Sequence, residues 1–459
     1  MCPSAAALTL ARPFFVVAQL PHRPGVVSAE PGIAADGGGA FWVIAQGFDP
    51  AQAGPVTGGV APVWRSTDGG RAYRAVKSPI DLTTKRALPF AGSDVDIAAA
   101  PVRNHQGTFT VYAVTQYFST QNTANMALAF SKDDAHHWVT VPLGSPTVLV
   151  DRPWLAASGA CDVYVSYYAT DGEPFVTGQS IGTGLYVKHV NVCARSLPTL
   201  KPVEPIAKSV APMTVYEGGG KPAVRGKHVY VPLSRCRGNV VRSTRPWSCA
   251  KGTEILVAKS ADEGQTWHDT AVITTLPSGN LPLWNTQVAV AAGRIYAAWF
   301  DQHDAFLSVS SDDGRTWSAP QQLNYEPSAA IFPQLAAAGD SVVVTWYQAN
   351  RDGDVESDAA MGKPGVASSA RWQVWLARSS NGGVGVSGTP IGDAVHFGAE
   401  CVHGGYCDSL PNGDDRVPLL DDFGIALNPV TGRASIAFTS DQPGGGINHV
   451  HSWYATETS

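Results

Sequence analysis

Charge is scarce in this chain: Asp, Glu, Lys and Arg make up 15% of its 459 residues, and the net of −6 is spread along it with no basic patch. Nucleic acid is therefore not an expected partner. No run approaches the roughly 18 consecutive apolar residues that a membrane-spanning helix needs. Helical periodicity is scarce too, which argues against a bundle or an α/β layer. Met1 to Ala18 is apolar but holds Arg12 and Pro13 and lacks a basic start, so it reads as a poor secretion signal as it stands. What the chain has in quantity is turn chemistry. Gly 47 and Pro 33 punctuate short runs of aromatic and β-branched residues, the pattern of many short strands.

Seven cysteines fall into three local pairs plus one. Cys161 with Cys193, Cys236 with Cys249, and Cys401 with Cys407 are the sensible pairings, leaving Cys2. Three disulfides imply an oxidising compartment: secreted, periplasmic or cell-surface. Cys2 reads either as an unpaired thiol on a loose terminus or as the lipidated first residue of a lipoprotein.

One local pattern repeats. Ser260-Ala261-Asp262-Glu263-Gly264-Gln265-Thr266-Trp267 and Ser310-Ser311-Asp312-Asp313-Gly314-Arg315-Thr316-Trp317 share S-x-D-x-G-x-T-W. Degenerate copies are Ser66 to Tyr73 around Asp68, Ser131 to Trp138 around Asp133, and Ser379 to Gly383 with Asn381 for Asp. The Asp accepts backbone N–H groups of its own turn. The Gly supplies an angle that Cβ-bearing residues resist, and the Trp is expected to fold back over the turn and bury its ring. These residues form a structural fastening, with no nucleophile or metal ligand among them.

A second repeat is independent of the first. A polar or Pro-containing start, a short apolar strand, a tight turn and a second strand recur near residues 30, 94, 151, 220, 286, 332 and 422. Spacings of this order fit propeller blades. The expected fold is all-β, a seven-bladed propeller in one domain over 1–459, with 1–12 loose; six blades are the fallback. Small residues in each first strand let the strands converge near the axis. After the seventh unit only one further strand fits before the end, so Pro13 to Leu20 is expected to complete the last blade as its outer edge.

In such a ring the starts of the inner strands and the loops between second and third strands share one face, called top here. The inner-strand starts bring Glu30, Asp94, Asp96, Asp151, Arg152, Glu217, Asn285 and Asp422, an acid-rich ring with one arginine. They suit a ligand or cation site, or a general acid/base pair, or plain hydration of a channel. The top loops bring Arg235, Arg237, Trp299, Asp301, His303, Tyr347, Arg351 and Glu356. Asp301 to Asp304 reads as an acid/base or metal cluster or a surface turn. Asn350 to Asp358 alternates oxygen ligands but lacks the full calcium-loop pattern. No cofactor is required by any motif, and Ca²⁺ is the metal these acids would admit.

The S-x-D-x-G-x-T-W turns resemble the Asp-box, or BNR repeat, of the sialidase superfamily, and the blade repeats extend that resemblance over most of the chain. The resemblance implies a sialidase-like glycoside hydrolase acting on an anionic glycan at the top mouth. Active members clamp a carboxylate with three arginines and use a Tyr nucleophile assisted by Glu, with an Asp as acid/base. Arg152, Arg235 or Arg237, and Arg351 would form the clamp here, with Tyr347 and Glu356 as nucleophile pair and Asp96 and Asp301 as acid/base candidates. The family's early R-I-P string is absent; His22-Arg23-Pro24 is the nearest. A polysaccharide lyase, a binding propeller for glycan or protein, and a structural module are the other readings. The expected state is a monomer with an extracellular ligand.

Overall fold

The computed structural model describes residues 14–22, 27–48, 61–79, 94–118, 124–143, 150–170, 182–194, 220–238, 240–241, 248–277, 286–325, 327–383, 385–402, 418–419, 423–445 and 449–458. Small antiparallel sheets follow one another in a seven-bladed β-propeller. Blade 1 consists of Val27–Ala35, Phe41–Phe48, Val63–Ser66 and Arg74–Val76. Blade 2 consists of Val95–Arg103, Phe109–Phe118, Ala124–Ser131 and Val139–Pro142, and blade 3 of Val150–Ser158, Asp162–Thr170 and Gly182–Asn191. Blade 4 is built on Ala223–Arg225, His228–Cys236, Thr253–Ser260 and His268–Asp269. Blade 5 holds Gln287–Ala291, Arg294–Phe300, Ala305–Ser310 and Gln321–Gln322, and blade 6 Ala330–Ala338, Ser341–Ala349, Arg371–Ser379 and Gly388–Phe397.

Blade 7 is made from both ends of the chain. Gly424–Leu427, Ala434–Ser440 and His451–Glu457 are completed by Phe15–Gln19, which pairs from Phe15 opposite Glu457 to Gln19 opposite Trp453. The edge of the last sheet is thereby covered by the first strand, as the chain ends suggest.

The core is radial rather than central. Second strands such as Phe41 to Ala45, Val111 to Val114 and Val342 to Val344 are buried on both faces, which is why they read as continuous apolar runs. Their side chains meet the neighbouring blade in apolar seams. Trp42 and Ile44 pack with Ile97 and Val111 between blades 1 and 2. Tyr164 and Val187 pack with Val229 and Leu256 between blades 3 and 4, and Tyr230 packs with Val288 and Ile295 between blades 4 and 5. Phe41 and Val43 pack with Ala437 and Tyr454 across the closure, between blades 7 and 1. Full burial of such side chains contributes roughly 1.5–3 kcal/mol each, and the ring repeats that gain at every seam.

The five S-x-D-x-G turns, degenerate copies included, share one hydrogen-bond pattern. Ser Oγ donates to the Asp carboxylate or Asn side-chain amide oxygen in all five and accepts the N–H of the fifth residue: Gly70, Ala135, Gly264, Gly314 or Gly383. The fourth and fifth residues are both left-handed in every copy, with Ala135 at φ 66° the one non-glycine at the fifth position. Glu263 N–H donates to Lys227 O, and Gly382 N–H to Asp340 O. These bonds tie the turns to the first hairpin of the same blade, on the face opposite the inner-strand starts.

The aromatic residue of the turn does more than fold back. Trp317 Nε1 donates to Ala271 O of blade 4, Trp138 Nε1 to Lys77 O of blade 1, and the Tyr73 hydroxyl pairs with Ser435 of blade 7. Each reaches the preceding blade. Among these aromatic residues only Trp267 bonds its own turn, at Gly264 O; the blade before it, blade 3, carries no S-x-D-x-G string. There the Cys161–Cys193 disulfide joins the first hairpin to the end of the third strand. Cys236 pairs with Cys249 in blade 4. Cys401 is also disulfide-bonded, while Cys407 lies outside the described residues.

Candidate functional site

Three inner strands begin with the same irregularity. The register slips between Ala29 and Gly32, between Asp151 and Trp154, and between Ile331 and Gln334. In each bulge the residue before a proline is left-handed: Glu30 at φ 47°, Arg152 at 52°, Phe332 at 53°. Non-glycine residues adopt that region at a cost of order 1–3 kcal/mol, and such bulges re-aim side chains. Phe332 packs edge-on against Phe300. Glu30 and Arg152 turn towards each other across blades 1 to 3.

Four side chains close a cycle there. Gln46 Nε2 donates to Glu30 Oε2 and, at 3.0 Å, to Asp94 Oδ1. Arg152 returns from the other side, with Nη1 3.5 Å from Glu30 Oε1 and Nε 3.7 Å from Asp94 Oδ2. Glu30, Gln46 and Arg152 are buried, and Asp94 is partly exposed. Gln46 comes from the second strand of blade 1, in register with Ala29.

Asp96 is drawn into a second knot beside the first. Its Oδ2 accepts Leu155 N–H at 2.7 Å, and its Oδ1 pairs with Lys221 Nζ at 2.8 Å; Lys221 also donates to Ile97 O. Blades 2, 3 and 4 are linked in this way. A Cβ on Gly32 would stand 2.6 Å from Asp96 Oδ1, so a side chain there would displace the Asp96 carboxylate. Below lies the central channel of about 390 Å³, lined by alanines, valines and leucines of the inner strands; Asp96, Lys221, Gln287 and Gln334 are its polar residues.

The remaining expected residues occupy other settings. The Tyr347 side chain is enclosed between blades 6 and 7, where its hydroxyl accepts Thr439 N–H at 3.0 Å and faces Thr439 O at 3.4 Å. Glu356 Oε1 accepts Val402 N–H. Arg235 is held within blade 4 by Glu254 and Asp269, with Arg237 outside it against Glu254. Arg351 bonds Ser368 O. Trp299 is buried in blade 5 against Phe306. Asp301 caps its own turn at His303 N and Asp304 N. For Asp151 only the backbone is described, and Glu217, Asn285 and Asp422 lie outside the described residues.

His303 and Asp352, from two top loops, both have clearly shifted pKa values. Burial pushes the His303 pKa down, but hydrogen bonds to Asp352 and Asp304 and their charges outweigh that, and the net shift is upward. The bond from His303 holds Asp352 below the usual carboxylate range. This pair latches a blade 5 loop to a blade 6 loop. Among the described residues no group of three His, Cys, Asp or Glu is disposed to hold a metal.

Gln46, Lys221 and Thr439 belong to the constellation but carry no motif. Their signals are faint. Gln46 is a polar residue in an otherwise apolar second strand, and Lys221-Pro222 repeats the charged-residue–proline start of Glu30-Pro31 and Arg152-Pro153.

No protein-family model matches the chain, and no curated protein does. Solved structures that resemble it include a Hadza microbial sialidase, 13% identical, over 94% of this chain and 66% of that one, with a TM-score of 0.45. The chain thus spans just under two thirds of that sialidase. A GH93 α-L-arabinofuranosidase of Fusarium graminearum is 13% identical over 72% of this chain and 92% of its own, with a TM-score of 0.47. A protein of unknown function from Dyadobacter fermentans is 12% identical over 97% and 98%, with a TM-score of 0.44.

Proposed function

We propose that the protein is a carbohydrate-active propeller, a glycoside hydrolase whose carboxylate pair is Glu30 and Asp94 at the top mouth. The observation that carries this is the closed cycle Glu30–Gln46–Asp94–Arg152. One nitrogen bonding both carboxylates keeps the bonded oxygens within about 6 Å of each other, a bound that admits the spacing of roughly 5–5.5 Å at which paired carboxyls cleave glycosides with retention. Arg152 offsets the repulsion between them. One carboxyl would protonate the leaving oxygen while the other faces the anomeric carbon.

Arg152 is engaged by both acids and Lys221 by Asp96, so neither stands ready as a clamp for a substrate carboxylate. From these described cations the glycan proposed here is neutral, where the sialidase resemblance suggests an anionic one. Tyr347 and Glu356 take no chemical step in this proposal. The five like turns support the Asp-box reading of the repeat. Two disulfides support an extracytoplasmic location, and no helix among the described residues is long and apolar enough to cross a membrane.

A non-catalytic glycan-binding propeller is the second reading, because every member of the cycle is satisfied by another member. The test is turnover of 4-nitrophenyl α- and β-glycosides, neutral oligosaccharides, sialyllactose and polygalacturonate by wild type, Glu30→Gln and Asp94→Asn. Loss of about 100-fold or more in both variants is expected. Binding without product selects the second reading. Full activity in both variants removes the site.

A further inference from the structure

We infer that Tyr347 is a positioning residue for Glu30, acting through Thr439; the inference rests on the proposed role of Glu30. Glu30 sits in a bulge, left-handed, directly before Pro31. A residue in that conformation stays there only when its surroundings hold it. Its N–H donates to Thr439 Oγ1 of blade 7 at 3.1 Å. Thr439 is held in turn. The described first strand of blade 7 pairs as far as Ala437, two residues short of it. At Thr439 the Tyr347 hydroxyl of blade 6 meets both the N–H and the C=O, much as a ladder partner would. The Tyr347 ring is fixed by Phe423, 4.4 Å away between centroids.

Tyr347, Thr439 and Glu30 thus form one buried chain of bonds across blades 6, 7 and 1. Tyr347 occupies in blade 6 the strand position that Gln46 occupies in blade 1: each lies opposite the residue just before a bulge, Ile331 and Ala29. Gln46 holds the Glu30 carboxylate from one side, and Tyr347 holds its backbone from the other. A shift of about 1 Å in a reacting group costs on the order of 100-fold in rate, so the two anchors matter to chemistry more than to folding.

The experiment compares kcat, KM and unfolding midpoints on the 4-nitrophenyl glycosides for wild type, Tyr347→Phe, Thr439→Val, Thr439→Ser, Glu30→Gln and a control, Tyr230→Phe. The control removes a buried tyrosine hydroxyl bonded to Asp313 on the opposite face. Tyr347→Phe and Thr439→Val are expected to lower kcat about 10- to 100-fold with KM within about twofold. Thr439→Ser restores kcat, and Tyr230→Phe lowers the midpoint comparably while leaving kcat intact. If Tyr347→Phe and Thr439→Val behave like Tyr230→Phe while Glu30→Gln is inactive, the positioning role is overturned and Glu30 keeps its role. Full turnover by Glu30→Gln overturns the role of Glu30 and the inference with it. A wild type inactive on every glycoside overturns both, since no reaction is then left for Glu30 to be positioned for.

Discussion

The two faces of this ring are held by opposite kinds of contact. On the lower face, each S-x-D-x-G turn is bonded within itself: Ser260 Oγ, Asp262 Oδ1 and the N–H groups of Gly264, Gln265 and Thr266 lie within a few residues of one another. On the upper face, Glu30 meets Gln46, Arg152 and Thr439, Gln46 and Arg152 reach on to Asp94, and every link but Glu30–Gln46 joins different blades. Local bonding repeats, and repetition makes it visible in a sequence. The cycle of Glu30, Gln46, Asp94 and Arg152 does not repeat in the other blades. That difference separates the fastening of the molecule from its proposed working part.

The sharpest way to break the contrast is to cut one member from each face. Arg152→Met leaves Glu30 and Asp94 facing each other without a cation, and a stability loss of about 3–5 kcal/mol is expected in denaturant unfolding. A loss below about 1 kcal/mol would mean that the upper cycle is not a unit. Trp317→Phe keeps a ring but loses the bond to Ala271 of blade 4, and should cost about 1 kcal/mol. Trp267→Phe loses a bond only to its own turn. The two tryptophans occupy the same place in the motif, so a larger effect at Trp267 would contradict the interblade reading.

Acid should weaken the lower face. Hydrogen bonds from Thr266 and Ser260 hold Asp262 at about 2, and those from Thr316 and Ser310 do the same for Asp312. Burial opposes the shift at Asp133, but bonds from His137 and Ser131 still bring it to about 2. A lowered folded pKa gives stability that is present above the unfolded value near 3.9 and is lost as pH falls towards 2. Thermal midpoints should fall between pH 4 and 2, with a shallower fall in Asp262→Asn. The turn with Asn381 adds nothing to that limb. The smallest effect expected is a gain: Ala135→Gly relieves a left-handed alanine and should stabilise by about 0.5 kcal/mol, part of the relief being offset by glycine's entropy.

The same contrast governs what could be read beforehand. The seven blades and the closing strand Phe15–Gln19 follow from periodic apolar runs and from counting strands at the chain ends. The turn residues follow from side-chain chemistry within eight positions, although the reach of Trp138 and Trp317 to the preceding blade does not, since it depends on blade spacing. At the mouth, residue types at the inner-strand starts pointed to Glu30, Asp94 and Arg152, because topology alone brings those starts together. Tyr347 sits among expected chemical groups in sequence yet is enclosed at the blade 6–7 seam, because alternation along Ser341–Ala349 and the neighbouring Phe423 set its direction. Gln46 and Thr439 gave at most a faint signal, each being one polar residue whose partner lies in another strand or blade.

The most direct measurement is hydrogen exchange of the wild-type protein with and without a neutral oligosaccharide taken from the turnover panel. Slowed exchange is expected at residues 28–34, 94–99 and 150–156, the strand starts that carry Glu30, Asp94 and Arg152. Protection confined to residues 260–267 and 310–317 would place the ligand on the lower face and contradict the proposed site.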